Sequence, residues 1–263
     1  MDDEPVVSGE ERVAGPLHHK LTYAIEFARL AEQLNAEPQE QQTLERIVML
    51  AVETVEAASS CSVTLVTPDG ALHTAAQTDE TIGQLTKAHQ LLGQGPYWDA
   101  AGSAGDVVVD DLGADRRWPQ LSDATRDLGL RAMFCIRLPL ATRAQVASLN
   151  LAADRRQAFD TTDIAIASIF ARHAAAALDR ARDGDDLRAA VRSRQLIGVA
   201  EGILMQRFGL GLDQAFELLR RYSQSHNIKL RVLAERLVET GQLTTAADAT
   251  RSLDAAFGLQ PED

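Results

Sequence analysis

Between Leu187 and Gly241 the chain gathers nine basic side chains: Arg188, Arg192, Arg194, Arg207, Arg220, Arg221, Lys229, Arg231 and Arg236. Five acidic ones oppose them: Glu201, Asp213, Glu217, Glu235 and Glu239. The whole chain carries a net charge of −12, so the remainder holds about −16. An electropositive module on an acidic body suits the neutralisation of phosphates, with the salt-dependent affinity that counterion release imposes. Ala200 and Gly202 lie among these cations and offer a nucleotide close approach to the backbone, because they carry little side-chain bulk.

Three short helices must position these groups. In the first, Ile197, Ala200, Ile203 and Leu204 recur at helical spacing until Gly209 and Gly211 stop the pattern. In the second, Ala215, Phe216, Leu218, Leu219 and Tyr222 form one apolar face that ends near His226. In the third, Leu230, Leu233, Ala234 and Leu237 follow the same period, with Asn227 in the cap position before it and Gly241 just after it. Three such stripes can bury one another, which predicts a small all-α domain.

The strings AEGILMQRFG, DQAFELLRRYS and NIKLRVLAERLV, in that order and with tight loops, resemble an ANTAR domain, the family named for transcription antitermination regulators. The resemblance implies binding to RNA, typically paired stem-loops of a leader transcript, so that a terminator does not form. It makes Arg194, Ala200, Gly202, Arg207, Lys229 and Arg231 the expected RNA contacts, the cations holding phosphates and the small residues admitting bases. The chain departs from the family in having Glu201 where many members have Lys, and Gly211 where a Ser or Thr usually caps the second helix. By the residues alone, a helical triplet with arginines also suits the DNA major groove, and a protein-interaction scaffold is a third possibility.

The rest of the chain reads as an ordinary globular body, 45% hydrophobic and 24% charged, with a pI near 5.0. No apolar run approaches the ~20 residues of a membrane span. The acidic start, MDDEPVVSGEERVAG, lacks the apolar core of a signal peptide and is expected to be a disordered tail over 1–16. Cys61 and Cys135 fit a reducing compartment, so the expected location is cytoplasmic.

A helix is predicted over 17–36, with Leu21, Ala24, Ile25, Ala28 and Ala31 as its stripe, and a stronger one over 40–58 through Leu44, Ile47, Val48, Ala51 and Val55. The run 61–67 alternates, Pro68-Asp69-Gly70 turns, and 71–77 returns as a hairpin strand. Ile82, Leu85, His89 and Leu92 mark a helix ended by Gly93 and Gly95-Pro96. A short strand at 107–112, a helix near 119–128, strands at 132–140 and 145–153 and a long helix over 161–182 complete the series. This order predicts an antiparallel sheet flanked by helices, and the fold class is α+β.

Residues 40–181 are similar to a GAF domain, through GQGPYWDA, DDLGADRRWP, the paired strands around RLPL and SLNL, and AFDTTDIAIASIFARHAAAAL. The resemblance implies a sensor of small molecules, such as cyclic nucleotides, tetrapyrroles or redox ligands, or a dimerisation unit without a ligand. Related proteins often carry Cys where this chain has Tyr97, so a thiol sensor is not available at that loop. Trp98 and Trp118 flank the loops over a pocket and are expected to fill the core. Asp110, Asp111 and Asp115 read as a solvated loop, and the histidines show no metal-ligand spacing. No phosphate loop, dinucleotide fingerprint or nucleophile–base pair appears, so neither catalysis nor a cofactor is expected.

Gly184 and the aspartates around it are expected to interrupt the helix before Leu187 resumes it. Ile166, Ile169, Ala176, Ala177, Leu187 and Val191 are candidates for a coiled-coil seam across a homodimer. The expected organisation is therefore a tail (1–16), an N-terminal helix with the GAF sensor (17–182), an ANTAR RNA-binding domain (183–246) and a final tail (247–263). The expected partners are RNA hairpins, a second copy of the chain and a small-molecule GAF ligand, with no membrane.

Overall fold

A computed structural model describes residues 16–67, 70–102, 105–141 and 146–241, with side chains from Ile25 onward. The Pro68-Asp69 turn and both tails expected from the sequence lie outside those residues, apart from Pro16 and Gly70. The chain divides into two compact units, Met1–Gly184 and Asp185–Asp263.

In the first unit, five strands with period-two patterning pair into one antiparallel sheet, in the order β2-β1-β5-β4-β3. The strands are β1 (Ser60–Val66), β2 (Leu72–Gln77), β3 (Val107–Val109), β4 (Ala132–Leu138) and β5 (Val146–Ala153). Residues of odd number in β1 and β5, among them Cys61, Val63, Leu149 and Leu151, face a core shared with α1 (Pro16–Leu34), α2 (Glu40–Thr54) and the first part of α6 (Thr161–Phe208). Met133, Cys135 and Ala152 face the opposite way, into a second core with α3 (Glu80–Leu92), α4 (Pro96–Gly102) and α5 (Pro119–Ala124). Asp79 caps α3 by accepting from the Ile82 amide at 3.1 Å, and Gly93 closes it in the left-handed region.

The α1 stripe differs from the expected one. Phe27, Leu30, Ala31 and Leu34 turn inward, Ile25 is 59% exposed and Ala28 is exposed. Ring contact with His173 of α6 draws Phe27 inward, centroids 6.2 Å apart, and period alone did not say which side α6 would occupy. The strand predicted at 107–112 pairs only over Val107–Val109, because past that point the backbone turns to bond Arg131 through Leu112.

The predicted interruption at Gly184 does not occur, and α6 runs unbroken from Thr161 to Phe208. One interior glycine costs a helix only about 1 kcal/mol relative to alanine. Nearby pairs offset that: Arg182 to Glu40 at 2.7 Å and Asp185 to Arg188 at 3.0 Å.

The second unit packs the last turns of α6 against α7 (Leu212–Ser225) and α8 (Leu230–Thr240). Its core holds Ala200, Leu204, Leu219, Tyr222, Leu233 and Leu237, with Ala215, Ala234 and Phe208 beside them. Phe216, predicted on the buried face of α7, is 37% exposed, because Ala215, Leu219 and Tyr222 take the inward arc. Asn227 does not cap α8. It adopts a left-handed φ of 52° just after α7, and exposed Lys229 holds the cap position without a side-chain bond. Gly241 ends α8 at φ 67° as predicted.

Candidate functional sites

In the second unit, the candidate residues separate into those offered to solvent and those the fold consumes. Arg194 on α6 and Lys229 before α8 are exposed and make no ion pair among the described residues. Gly202 is exposed, and a Cβ built there would meet nothing within 4 Å. Arg231 is exposed and reaches Glu235 at 3.5 Å, a surface pair with little hold on it. No hydrogen bond or ion pair joins these side chains to one another.

Ala200 is fully buried, which corrects its expected role of admitting a base. It is small because α6 meets the rest of the three-helix core there. Gly198, four residues from both Arg194 and Gly202 and equally open, supplies the bare surface instead. Arg207 is half-buried, donates to the Gly241 carbonyl at 3.2 Å and lies over the Phe208 ring at 5.6 Å. It therefore ties the end of α8 to the end of α6. Arg207→Glu is expected to lower the thermal stability of this unit by about 1–2 kcal/mol, whereas Lys229→Glu leaves melting unchanged. Equal melting temperatures for the two variants would refute that division.

Arg192 and Arg221 were not among the sequence candidates, yet both are exposed and free of ion pairs among the described residues. Their signal in the sequence was only their place off the apolar stripes.

In the first unit, polarity gathers where a core should be. Ser62 and Thr64 of β1 lie opposite Asn150 and Ser148 of β5, all four buried. Thr64 and Ser148 share a hydroxyl–hydroxyl bond of 2.8 Å, and Asn150 Nδ2 donates to Thr64 Oγ1 at 3.1 Å. From α3, His89 places Nδ1 2.8 Å from the Leu85 carbonyl, so Nδ1 carries the proton. The Tyr97 ring stacks on His89 at 3.8 Å between centroids. Trp98 Nε1 donates to the His89 carbonyl at 3.0 Å, and Trp118 is buried under the Arg117 guanidinium. Both tryptophans pack in or against this core, as expected.

The sequence did carry a sign of this floor: small polar residues at alternate positions of S-C-S-V-T and S-L-N-L. Such alternation ordinarily marks a solvent face; here helices cover it. Cys61 and Cys135 are buried on opposite faces of the sheet, and burial pushes both thiols well above their ordinary range. Asp115 is paired with Arg117 at 2.6 Å and Asp111 with Arg156 at 3.0 Å. Among the described residues no group of His, Cys, Asp and Glu could hold a metal ion, and no helix is long and apolar enough to cross a membrane.

Burial pushes His89 down from 6.5 to about 4, so the folded protein holds it neutral. Its folded value lies below its unfolded one, so this contribution to stability is complete above pH 6.5 and is lost as pH falls toward 4. The loss is expected to reach about 3 kcal/mol in denaturant unfolding, at up to ~1.4 kcal/mol per pH unit. His89→Gln should flatten that slope, and a variant with the parent's full slope between pH 6.5 and 4 would remove His89 as its source.

Comparison with known proteins gives two family matches: a GAF domain over residues 37–179 and an ANTAR domain over residues 185–238. No curated protein matches the chain. Among solved structures, bacteriophytochrome RpBphP3 from the photosynthetic bacterium R. palustris is similar at 10% identity and a TM-score of 0.53, covering 82% of this chain and 48% of that one. The GAF domain of a phosphoenolpyruvate-protein phosphotransferase from Coxiella burnetii aligns at 16% identity and a TM-score of 0.48, covering 63% of this chain and 98% of its own. At these identities the first likeness speaks for the fold alone.

Proposed function

The chain belongs to the GAF-domain family and carries an ANTAR domain after it, and from that premise we propose a cytoplasmic transcription antitermination regulator. Residues 183–246 bind stem-loops of a leader transcript, and residues 17–182 sense the signal that controls them. The carrying observation is the set of exposed cations on the ANTAR unit that make no ion pair among the described residues, Arg194 and Lys229 with Arg192 and Arg221, together with the open helix backbone at Gly198 and Gly202. Arg231 joins them at the cost of a weak surface pair. Phosphates meet the cations and an unstacked base meets the bare helix.

Helix α6 supports the link between sensing and output, because it passes from one unit into the other without a break. It supports a homodimer as well. Ile169, Ala176, Leu187 and Val191 are exposed and fall within about 60° of arc at the helical period, whereas Ala177 is buried in the GAF core and leaves the seam. Sedimentation equilibrium reads the mass directly.

The test is titration of the purified full chain with a paired-hairpin leader RNA across salt concentrations, with duplex DNA as competitor. About five phosphate contacts predict a log–log salt slope near −4. Preference for duplex DNA would move the function to a DNA-binding regulator. Absence of binding to either would leave a protein-interaction module.

A further inference from the structure

The floor beneath α4 carries more polarity than packing requires. Each buried hydroxyl or amide that is imperfectly paired costs about 1–3 kcal/mol, and apolar side chains of the same size avoid that cost. Two buried side-chain atoms of this core have no hydrogen-bond partner among the described residues, Asn150 Oδ1 on the floor and His89 Nε2 on α3. Both are acceptors. The Asn150 amide is oriented by the Ser148 carbonyl, which only an N–H can meet, so its oxygen is the free end. His89 gives its proton from Nδ1 to Leu85, which leaves Nε2 unprotonated. Gly95 lies against that ring edge, and any side chain there would crowd it, a Cβ falling 2.9 Å from Nε2.

Tyr97 occupies the space over the floor. It is fully buried, its ring lies flat on His89, and its hydroxyl is 3.5 Å from Ser62 Oγ, the outer limit of a hydrogen bond. Thr86 of α3 is a second hydrogen-bond partner of that hydroxyl, so Tyr97 is a flat ring whose one donor is shared between α3 and the floor. Among the described residues no Asp, Glu, Lys or Arg is fully buried, so a charged guest would lie there uncompensated.

We propose that this floor recognises an uncharged, flat heterocycle carrying N–H donors, and that Tyr97 holds its place in the state described here. The proposal rests on the sensor reading of the GAF unit and narrows it to a ligand class. The ligand's ring takes the space of the Tyr97 phenol, stacked on His89, and an N–H at its far edge, beside Ser62, meets Asn150 Oδ1.

Both tryptophans of the chain, Trp98 and Trp118, adjoin this floor, so tryptophan emission of the full-length protein reports on it. The probes are uracil, cytosine, 2-aminopyrimidine and 2-imidazolidinone, with benzoate and cyclic AMP as anions, each titrated by emission and by calorimetry. At least one neutral probe is expected to bind with a dissociation constant below about 1 mM. Asn150→Leu should weaken that binding at least tenfold while leaving the melting temperature equal or higher, since an active floor is held at the expense of stability. Tyr97→Ala should tighten binding if it folds; Asn150→Leu decides the matter if it does not. Binding by the anions in place of the neutral probes overturns the assignment and leaves the unit a sensor. No binding by any probe, or unchanged binding in Asn150→Leu, also overturns it. The RNA titration without probes decides the antitermination reading separately, so the two can fail independently.

Discussion

Full-length protein with both Arg194→Glu and Lys229→Glu should bind hairpin RNA about 100-fold more weakly than the parent and melt at the same temperature. Each side chain is exposed and makes no ion pair among the described residues, so its removal leaves no buried group unpaired. A charge-assisted contact to phosphate is worth about 1.5 kcal/mol, and two of them give roughly 3 kcal/mol, or two orders of magnitude in affinity. Reversal adds repulsion to that loss. The salt slope should flatten by about 1.5, because two fewer counterions are released. Binding isotherms at several salt concentrations measure both quantities. Weaker affinity with an unchanged slope would mean that the pair acts through shape and not through phosphate. Unchanged affinity would take Arg194 and Lys229 out of the interface and leave Arg192, Arg221 and Arg231 to carry it.

Leu219→Ala is expected to unfold the ANTAR unit while the GAF unit stays folded. Leu219 is fully buried in a core of nine buried residues, and it is one of four leucines there, with Leu204, Leu233 and Leu237. Truncating a buried leucine costs about 3 kcal/mol through lost transfer energy and the cavity left behind. A unit this small holds no more than about 3–5 kcal/mol in all. Its core shares no buried residue with the two cores of the GAF unit, so the loss should stay local. Both tryptophans lie in the GAF unit, so melting followed by tryptophan emission should match the parent. Far-ultraviolet circular dichroism should lose helix at low temperature, and RNA binding should fall below detection. Coincident melting by both probes would show that the two units unfold as one.

Much of this protein was fixed by local pattern. The 3.6-residue period of Leu204, Leu219 and Leu233 with their neighbours places three helices, and Gly93 and Gly241 end two helices in the left-handed region that favours glycine. Alternation in β1 and β5 sets which residues share a face of the sheet, because the pleat repeats every two residues whatever the partner. The family resemblances rested on such strings, and both domains were legible there.

Which small residue is open and which is closed was not legible. Ala200 and Gly202 are two positions apart on one helix, and the arrival of α7 and α8 alone decides that the first is core and the second is surface. Arg207 resembles Arg194 in sequence, but Gly241, 34 positions further on, converts it into a structural tie. Gly184 read as a break because local propensity disfavours it, yet contacts on both sides carry α6 through. The floor under Tyr97 depends on three distant segments meeting: β1, β5 and the α3–α4 region. Periodicity is a property of neighbours along the chain, whereas burial, pairing and unmet hydrogen bonds belong to whatever the fold brings alongside.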